Sequence, residues 1–199
     1  MIVGIIGAGA IGQTIAGLLV GVGIRVLICN SRAPESIADI VRRWGPGVVA
    51  GTLQQAIQPE IIFLAVPWSQ VPTALADLPD FEGRILIDAT NAIAPSGAGI
   101  AELGGRNSSE IVTELAYGAR LVKAFNTLRA DVLALGPLHA GGRRVIFFSG
   151  DHAPAKAEVG RLIERMGFAG IDLGGLSVGG RLQQLPGGPL PNLELIRVG

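Results

Sequence analysis

The sequence is poor in three kinds of residue, and each shortage excludes a class of protein. One cysteine, Cys29, in 199 residues excludes an internal disulfide framework and suits a reducing compartment. Charged residues make up 16% against 49% hydrophobic ones, which excludes intrinsic disorder. Sixteen basic residues balance sixteen acidic ones, so no overall positive field holds nucleic acid or an anionic membrane. We expect a cytoplasmic protein with neither of these partners.

The N-terminus also has few polar residues, which raises a membrane span or a signal peptide as an alternative. Between Ile2 and Ile24, Gln13 and Thr14 are the clearly polar residues. No basic segment precedes the apolar run, and its repeated glycines weaken a helix, so neither alternative is favoured. Thirty glycines and 5% aromatic residues in the whole chain indicate tight turns and an aliphatic core.

Short apolar runs alternate with helical stretches, a pattern typical of a parallel sheet covered on both faces. Strands are predicted at 2–6, 24–29, 48–50, 61–66, 84–89, 121–125, 145–149 and 169–173. Helices are predicted at 11–22, 34–44, 52–58, 108–117 and 154–166. The segment 92–107 is predicted to be a loop, with Ser108 or Ser109 capping the helix that follows. The chain is therefore predicted to be one α/β domain over residues 1–199. Its sheet is Rossmann-type, doubly wound and mainly parallel, and 174–199 form a short C-terminal cap.

The clearest motif is a glycine-rich turn between the first strand and the first helix. It fits G-x-G-x-x-G over Gly7-Ala8-Gly9-Ala10-Ile11-Gly12. Gly7 allows the tight turn, Gly9 lets a pyrophosphate approach the backbone, and Gly12 lets the helix pack on the strand. The helix N-terminus, with free N–H groups near Ala10 and Ile11, favours a phosphate there. A tight turn without a ligand is the alternative interpretation.

The end of the second strand indicates which dinucleotide binds. An NAD site usually has an acidic residue there, which bonds the ribose 2′-hydroxyl. Here the residues are Asn30-Ser31-Arg32, without an acid. Ser31 offers a hydrogen bond to a 2′-phosphate and Arg32 offers charge-assisted ones, so NADP(H) is predicted. A solvated loop residue is the alternative for Arg32.

Two further strand ends are predicted to extend the site, because ligands of open α/β sheets lie beyond the carboxyl ends of the strands. Val66-Pro67-Trp68 ends the fourth strand, where Trp68 offers a flat wall, although a proline-terminated strand explains the same residues. Asn91 follows the fifth strand and is predicted to bond the nicotinamide ribose or carboxamide. Turn capping is the alternative for Asn91.

The sixth strand ends in Ala124, Phe125 and Asn126, which are the last predicted cofactor contacts. Lys123-x-x-Asn126 superficially resembles the lysine–asparagine pair of β-hydroxyacid dehydrogenases. The run is β-like, however, and too few residues remain for the helical domain of those enzymes. Lys123 is instead predicted to be a strand residue with a paired or snorkelling ammonium. The two histidines lack partners at ligand spacing, so no metal site is predicted, and no catalytic triad or other catalytic residue is identified.

Together these motifs resemble those of the F420-dependent NADP oxidoreductase family, and a similar nucleotide-binding module occurs in the membrane metalloreductases. The resemblance covers most of the chain. Its residues are the glycine turn, Asn30-Ser31-Arg32, Ala65-Val66-Pro67-Trp68, Asp88-Ala89-Thr90-Asn91, Lys123-Ala124-Phe125-Asn126-Thr127, Ser149-Gly150-Asp151 and Gly179-Gly180-Arg181-Leu182.

The resemblance implies an NADP-dependent oxidoreductase that passes hydride directly between nicotinamide and a small-molecule acceptor, a deazaflavin (coenzyme F420) or a flavin-like ring. That ring would lie near 124–128 and 180–183. Arg143, Arg144 and Arg181 are candidates to hold an anionic coenzyme tail, with a solvated surface charge as the alternative for each. A homodimer is consistent with the resemblance. Two other functions stay open: reduction of another small acceptor (FMN, FAD, a carbonyl or an imine), and a non-catalytic NADP(H)-binding sensor.

Overall fold

Ten strands and eight α-helices make up the computed structural model, which describes residues 1–97 and 99–199. The strands of these described ranges are β1 (Ile2–Ile6), β2 (Arg25–Cys29), β3 (Val48–Ala50), β4 (Ile61–Leu64), β5 (Ile85–Asp88), β6 (Arg120–Ala124), β7 (Leu138–His139), β8 (Gly142–Ser149), β9 (Ala169–Asp172) and β10 (Ile196–Arg197). The helices are α1 (Ala10–Gly21), α2 (Ala38–Trp44), α3 (Leu53–Ala56), α4 (Val71–Leu75), α5 (Ser108–Leu115), α6 (Ala130–Ala134), α7 (Ala153–Arg165) and α8 (Arg181–Gln183).

The sheet is parallel through its centre and turns antiparallel at one side. Its strand order is β3-β2-β1-β4-β5-β6-β8-β10, and β7 and β9 also pair with β8. The strands from β3 to β6 in this order all run parallel. β8 runs antiparallel to β6, with Lys123 opposite Ser149. The predicted Rossmann-type, mainly parallel α/β fold is confirmed.

Strand β4 shows why helices cover both faces of the sheet. Phe63 packs in the cluster that contains Ile15 of α1 and Val159 of α7. The neighbouring Ile62 and Leu64 belong to a second cluster, beneath α3, α4 and α5. Successive side chains of a strand point to opposite faces, so an unbroken apolar run needs a helical layer on each side.

The helix after the long loop begins with a different cap from the one predicted. Asn107, rather than Ser108 or Ser109, is the N-cap of α5: its Oδ1 accepts a hydrogen bond from the Glu110 N–H at 3.0 Å. The Asn107 N–H in turn donates to the Glu110 carboxylate at 3.0 Å. Asparagine caps helices as well as serine does, and a glutamate three residues later completes the capping box. Ala98, within the predicted loop 92–107, lies outside the described residues.

The chain beyond residue 174 adds to the sheet at its antiparallel side. β8 begins at Gly142, three residues before the predicted start, and Ile196 of β10 pairs opposite Arg144. Arg144 is 2% exposed and its Nε donates to the Glu194 carboxylate at 2.7 Å. Arg144 is therefore a buried structural residue, neither a surface charge nor a ligand for a coenzyme tail.

Several short elements were not predicted from the sequence. They are α4, α6, α8, β7 and β10, each of two to five residues. Segments of this length are too short to show a hydrophobic period. Within the described ranges, none of the helices combines the length and the apolarity needed to cross a bilayer.

A buried ion pair joins β5 to β6. Lys123 Nζ lies 3.0 Å from Asp88 Oδ2, and the two side chains are 1% and 0% exposed. Lys123 also donates to the Thr90 carbonyl at 3.2 Å, and Asp88 accepts from the Thr90 and Ser109 hydroxyls at 2.6 and 2.8 Å. Burial alone would raise the Asp88 pKa, but the Lys123 charge and these hydrogen bonds outweigh it and hold that pKa below its usual value. The predicted pairing of the Lys123 ammonium is confirmed.

Lys123→Met should destabilise the protein strongly, because it leaves the Asp88 carboxylate buried without its counter-charge. We expect a loss of about 3–5 kcal/mol in the free energy of unfolding. The matched control is Lys156→Met, since Lys156 pairs with Asp172, whose side chain is 45% exposed. That change should cost about 1 kcal/mol or less. Urea denaturation of both variants checks the difference, and equal losses would contradict it.

Candidate functional site

The glycine-rich turn has the backbone shape that the motif predicts. Gly7 has a φ of 113°, which side chains rarely allow, and a Cβ there would lie 2.3 Å from the Ala65 carbonyl oxygen. A Cβ on Gly12 would lie 2.0 Å from the Gly7 carbonyl oxygen. A Cβ on Gly9, in contrast, would meet no described atom within 4 Å. The fold therefore requires Gly7 and Gly12, whereas Gly9 keeps space open for a ligand.

Helix α1 begins directly over this open space. Its N-cap is Gly9, and no side chain caps it. The first hydrogen bond between helical backbone groups runs from the Gln13 N–H to the Gly9 carbonyl at 2.9 Å. The N–H groups of Ala10, Ile11 and Gly12 precede this bond, so they are the donors that a helix leaves for a capping group or ligand. With the positive end of the helix dipole, they fit a phosphate group.

A groove made of two adjoining pockets follows the carboxyl ends of the strands on both sides of Gly9. Its larger part, the β2 pocket, has a volume of about 830 Å³ and extends from the glycine turn to Asn30, Ser31 and Arg32. Its smaller part, the β5 pocket, has about 450 Å³ and extends to Trp68 and the loop after β5. Both pockets are lined by Gly9, Ala65, Val66 and Pro67. The groove thus offers room for a nucleoside on each side of the phosphate-binding turn.

The β2 pocket contains the three residues predicted to select NADP(H). Asn30 shapes the loop, since its Oδ1 accepts from the Arg32 N–H at 2.9 Å and its Nδ2 donates to Ser36 Oγ at 2.9 Å. Ser31 and Arg32 are exposed, and no ion pair among the described residues involves Arg32. None of the described residues that line either pocket is acidic. The Arg32 guanidinium is therefore available to a phosphate, and no groove-lining carboxylate repels one.

The sequence prediction missed four polar residues of the β2 pocket. They are Gln13, Ser36, Gln70 and Thr73. Gln13 Nε2 donates to the Ala8 carbonyl at 2.9 Å and so steadies the glycine turn. Ser36 could have been predicted from the sequence, because Pro34 starts a helical turn two residues after Arg32 and Ser36 lies in that turn. Gln70 and Thr73 lie on short helical segments that carry no motif.

The β5 pocket brings Trp68 and Asn91 together, as predicted. Its lining also includes Ala10, Ile11, Val66 and Pro67 of the predicted set. Asn91 has a fixed side-chain orientation: Nδ2 donates to the Asn126 carbonyl at 3.0 Å, and Oδ1 accepts from Asn126 Nδ2 at 3.0 Å. Asn91 thus holds a neighbouring loop and lines the pocket at the same time.

The end of β6 lies behind the groove instead of in it. Ala124 and Phe125 are 0% exposed and Asn126 is 3% exposed, and none of them is among the described residues lining the two pockets. The Phe125 ring packs edge-on against Phe63 in the core, with 5.3 Å between ring centroids. The predicted cofactor contacts of Ala124 and Phe125 are therefore not available to their side chains. Gln183 is also 0% exposed, so an acceptor ring predicted at this place would meet buried side chains.

The groove is built for binding and orientation, with little acid–base chemistry. Among the described residues that line it, the titratable side chains are Cys29 and Arg32. Burial raises the pKa of the Cys29 thiol to about 11, against a smaller lowering by a backbone hydrogen bond from Gly7. The thiol is therefore protonated at neutral pH. No cluster of His, Cys, Asp or Glu in the described ranges could hold a metal ion.

The family comparison agrees with this geometry. The model of the family described as NADP oxidoreductase, coenzyme F420-dependent, matches residues 2–92, which contain the glycine turn and strands β1 to β5. Over residues 2–92 the chain is therefore similar to the F420-dependent NADP oxidoreductase family, whose printed description names NADP oxidoreductases.

Two curated relatives of this chain are metalloreductases. Metalloreductase STEAP3 of Rattus norvegicus is 32% identical over 197 residues, covering 97% of this chain and 38% of that protein. Metalloreductase STEAP2 of Homo sapiens is 29% identical over 187 residues, covering 92% of this chain and 35% of that protein. The chain thus spans less than two fifths of the length of the curated relatives it matches.

Solved structures support the same fold. A hypothetical protein of Sinorhizobium meliloti is 44% identical with a TM-score of 0.92, over 97% of this chain and 94% of that one. A protein of Arthrobacter, described as a candidate F420-dependent NADP reductase, is 26% identical with a TM-score of 0.72, over 98% and 99% of the two chains. A reductive aminase of Aspergillus terreus, solved with NADPH, has a TM-score of 0.66 at 21% identity over 92% of this chain and 58% of that one, and shares the fold.

Gly9→Ala should weaken NADPH binding while the fold stays intact, because the new methyl group occupies the open side of the turn. We expect a loss of affinity of about tenfold or more, equivalent to roughly 1.4 kcal/mol. The matched control is Gly21→Ala at the other end of α1, where a Cβ would also meet no described atom within 4 Å. Fluorescence titration with NADPH and thermal melts of both variants check this. Equal affinity of the two variants would contradict a phosphate site at Gly9.

Proposed function

We propose that the protein transfers hydride between NADP(H) in the groove and a flat ring acceptor of the deazaflavin type, coenzyme F420. The observations that support this most directly are the two pockets that adjoin at Gly9, where space is open, and the Arg32 side chain of the β2 pocket, which forms no ion pair with the described residues. NADP(H), when bound, supplies or accepts hydride at the nicotinamide C4. The chain's own residues bind and orient it.

Each part of the groove has a role in this proposal. Ser31 and Arg32 hold the 2′-phosphate in the β2 pocket, and the N-terminus of α1 holds the pyrophosphate. Trp68 and Asn91 flank the nicotinamide in the β5 pocket, where the lining is apolar apart from hydroxyl and amide groups. A preorganised and apolar pocket favours alignment of two rings for direct transfer.

The residue types that line the groove also bear on the chemical class of the acceptor. A ring that takes up hydride at carbon can draw its accompanying proton from solvent, so it needs no acid from the protein. The described lining, with Cys29 and Arg32 as its titratable side chains, suits such an acceptor. Reduction of a carbonyl or an imine would be helped by a proton donor beside the substrate. The imine reductase and aminase structures are about one fifth identical and support the fold alone.

The Arthrobacter protein, described as a candidate F420-dependent NADP reductase, supports a deazaflavin. FMN and FAD remain the alternative ring acceptors. The metalloreductases carry the matching region within a much longer chain, so metal reduction by this chain is not proposed. A cytoplasmic location and a homodimer stay predictions from the sequence.

Arg32→Ala should weaken NADPH far more than NADH, because only NADPH carries the 2′-phosphate. Loss of one charge-assisted hydrogen bond should cost roughly 1.5–3 kcal/mol for NADPH, about 10- to 150-fold in affinity. Arg42→Ala is the control, since Arg42 pairs with Asp39 on the exposed side of α2. Calorimetric titration of each variant with both dinucleotides measures the difference. Equal weakening of NADPH and NADH by Arg32→Ala would show that Arg32 does not recognise the 2′-phosphate.

Oxidation of NADPH should be fastest with F420 in a panel of F420, FMN, FAD, a carbonyl compound and an imine. The absorbance of the reduced nicotinamide follows each reaction directly. Faster oxidation of NADPH with FMN or FAD than with F420 would identify a flavin as the acceptor. Tight NADPH binding without oxidation by any member of the panel would contradict an enzyme and favour the non-catalytic sensor.

A further inference from the structure

Three amide side chains, two of them buried and the third half-buried, connect the C-terminal segment to the β5 pocket. Gln183 of α8 is 0% exposed, and its Nε2 donates to Asn126 Oδ1 at 3.2 Å. Asn126 Nδ2 donates to the main-chain carbonyl of Gln183 at 2.7 Å and to Asn91 Oδ1 at 3.0 Å. Asn91 Nδ2 donates a hydrogen bond to the main-chain carbonyl of Asn126 at 3.0 Å. Asn91, at the end of this chain of amides, lines the β5 pocket.

Backbone groups at both ends fix the direction of this chain of amides. Gln183 Nε2 also donates to the Phe147 carbonyl at 3.1 Å, and Ser149 Oγ donates to Gln183 Oε1 at 2.7 Å. A carbonyl oxygen can only accept, so an exchange of the Gln183 oxygen and nitrogen would lose the bonds to the Phe147 carbonyl and to Asn126 Oδ1. Asn126 Nδ2 donates one N–H to Asn91 Oδ1 and the other to the main-chain carbonyl of Gln183. The orientation of each amide is therefore set by its neighbour.

We propose that Gln183 is a positioning residue for hydride transfer, acting through Asn126 to hold the Asn91 amide in one orientation beside the nicotinamide. Gln183 does not line the groove itself, so it acts only through this chain. The identity of the bound group rests on the proposed function, whereas the chain of amides does not.

The physical cause is the cost of leaving buried polar groups unpaired. Without the Gln183 amide, Asn126 Oδ1, Ser149 Oγ and the Phe147 carbonyl lose partners in a region where side chains are fully buried. Asn126 Nδ2 keeps its bonds to the Gln183 main-chain carbonyl and to Asn91 Oδ1, but Asn126 Oδ1 loses its bond from the Gln183 amide. The Asn126 side chain, and Asn91 through it, is therefore held less firmly. A misplacement of about 1 Å can cost up to about 100-fold in rate, so a loose nicotinamide pocket should show in catalysis before it shows in binding.

The test compares Gln183→Met with Gln184→Met, a matched change at the next residue. Gln184 accepts a hydrogen bond from the Ser108 N–H at 3.0 Å and takes no part in the chain of amides. We expect Gln183→Met to lower kcat by about tenfold with little change in the affinity for 2′,5′-ADP, which reports on the β2 pocket. Gln184→Met should leave both unchanged.

Two further readouts separate positioning from a loss of stability. NADPH deuterated on one face of C4 shows which hydrogen is transferred: the wild type should use one face, and Gln183→Met should transfer from both. The fluorescence anisotropy of bound NADPH should fall in Gln183→Met, because its nicotinamide moves more freely. The anisotropy needs no acceptor, so it still tests Gln183 if the wild type binds NADPH and oxidises none.

Unchanged kcat, face selectivity and anisotropy in a folded Gln183→Met variant would overturn the proposal. If that variant does not fold, Ser149→Ala removes one of the bonds that orient Gln183 and should change the anisotropy and the face selectivity in the same direction by a smaller amount. No change in Ser149→Ala would then overturn the proposal as well.

Discussion

The close approach of three backbone segments around Gly7 is the constraint on which the groove depends. The turn after β1, the first turn of α1 and the end of β4 come so near that a Cβ at Gly7 or Gly12 would overlap a carbonyl oxygen, at 2.3 and 2.0 Å. This contact places the positive end of α1 beside Ala65 and Val66, which line both pockets. A side chain at Gly7 or Gly12 would therefore force these backbone segments apart beside both pockets.

Away from this turn, the edge of the sheet that borders the groove is held by buried and half-buried polar side chains. Loops that leave parallel strands have no ladder to satisfy their N–H and carbonyl groups, so side chains must pair with them. Lys123 bonds the Thr90 carbonyl, and Asn91 bonds the Asn126 carbonyl. The antiparallel direction of β8 contributes by bringing Ser149 beside Lys123, within reach of Gln183. The nicotinamide side of the groove thus gains a defined shape without regular structure.

Hydrophobic period and motif spacing predicted the parallel strands, the glycine turn and the edge at which Asn30–Arg32, Trp68 and Asn91 meet. They could not predict how deeply each side chain is buried. Phe125 follows β6 at the right edge, but its ring packs against Phe63 in the core, a contact between distant residues that has no local signature. Arg144 and Glu194 are 50 positions apart, so their pairing is a property of the tertiary fold. Glutamine is usually a surface residue, and only the spatial neighbours of Gln183 place it in the interior.

The burial of Cys29 has a consequence for studying the protein chemically. Its sulfur lies on the floor of the β2 pocket, 1% exposed and with a pKa of about 11, so electrophiles meet a protonated thiol with almost no open approach. Cys29 lines the same pocket in which the proposed dinucleotide would lie. The rate at which iodoacetamide labels this single thiol should therefore fall when that pocket is occupied.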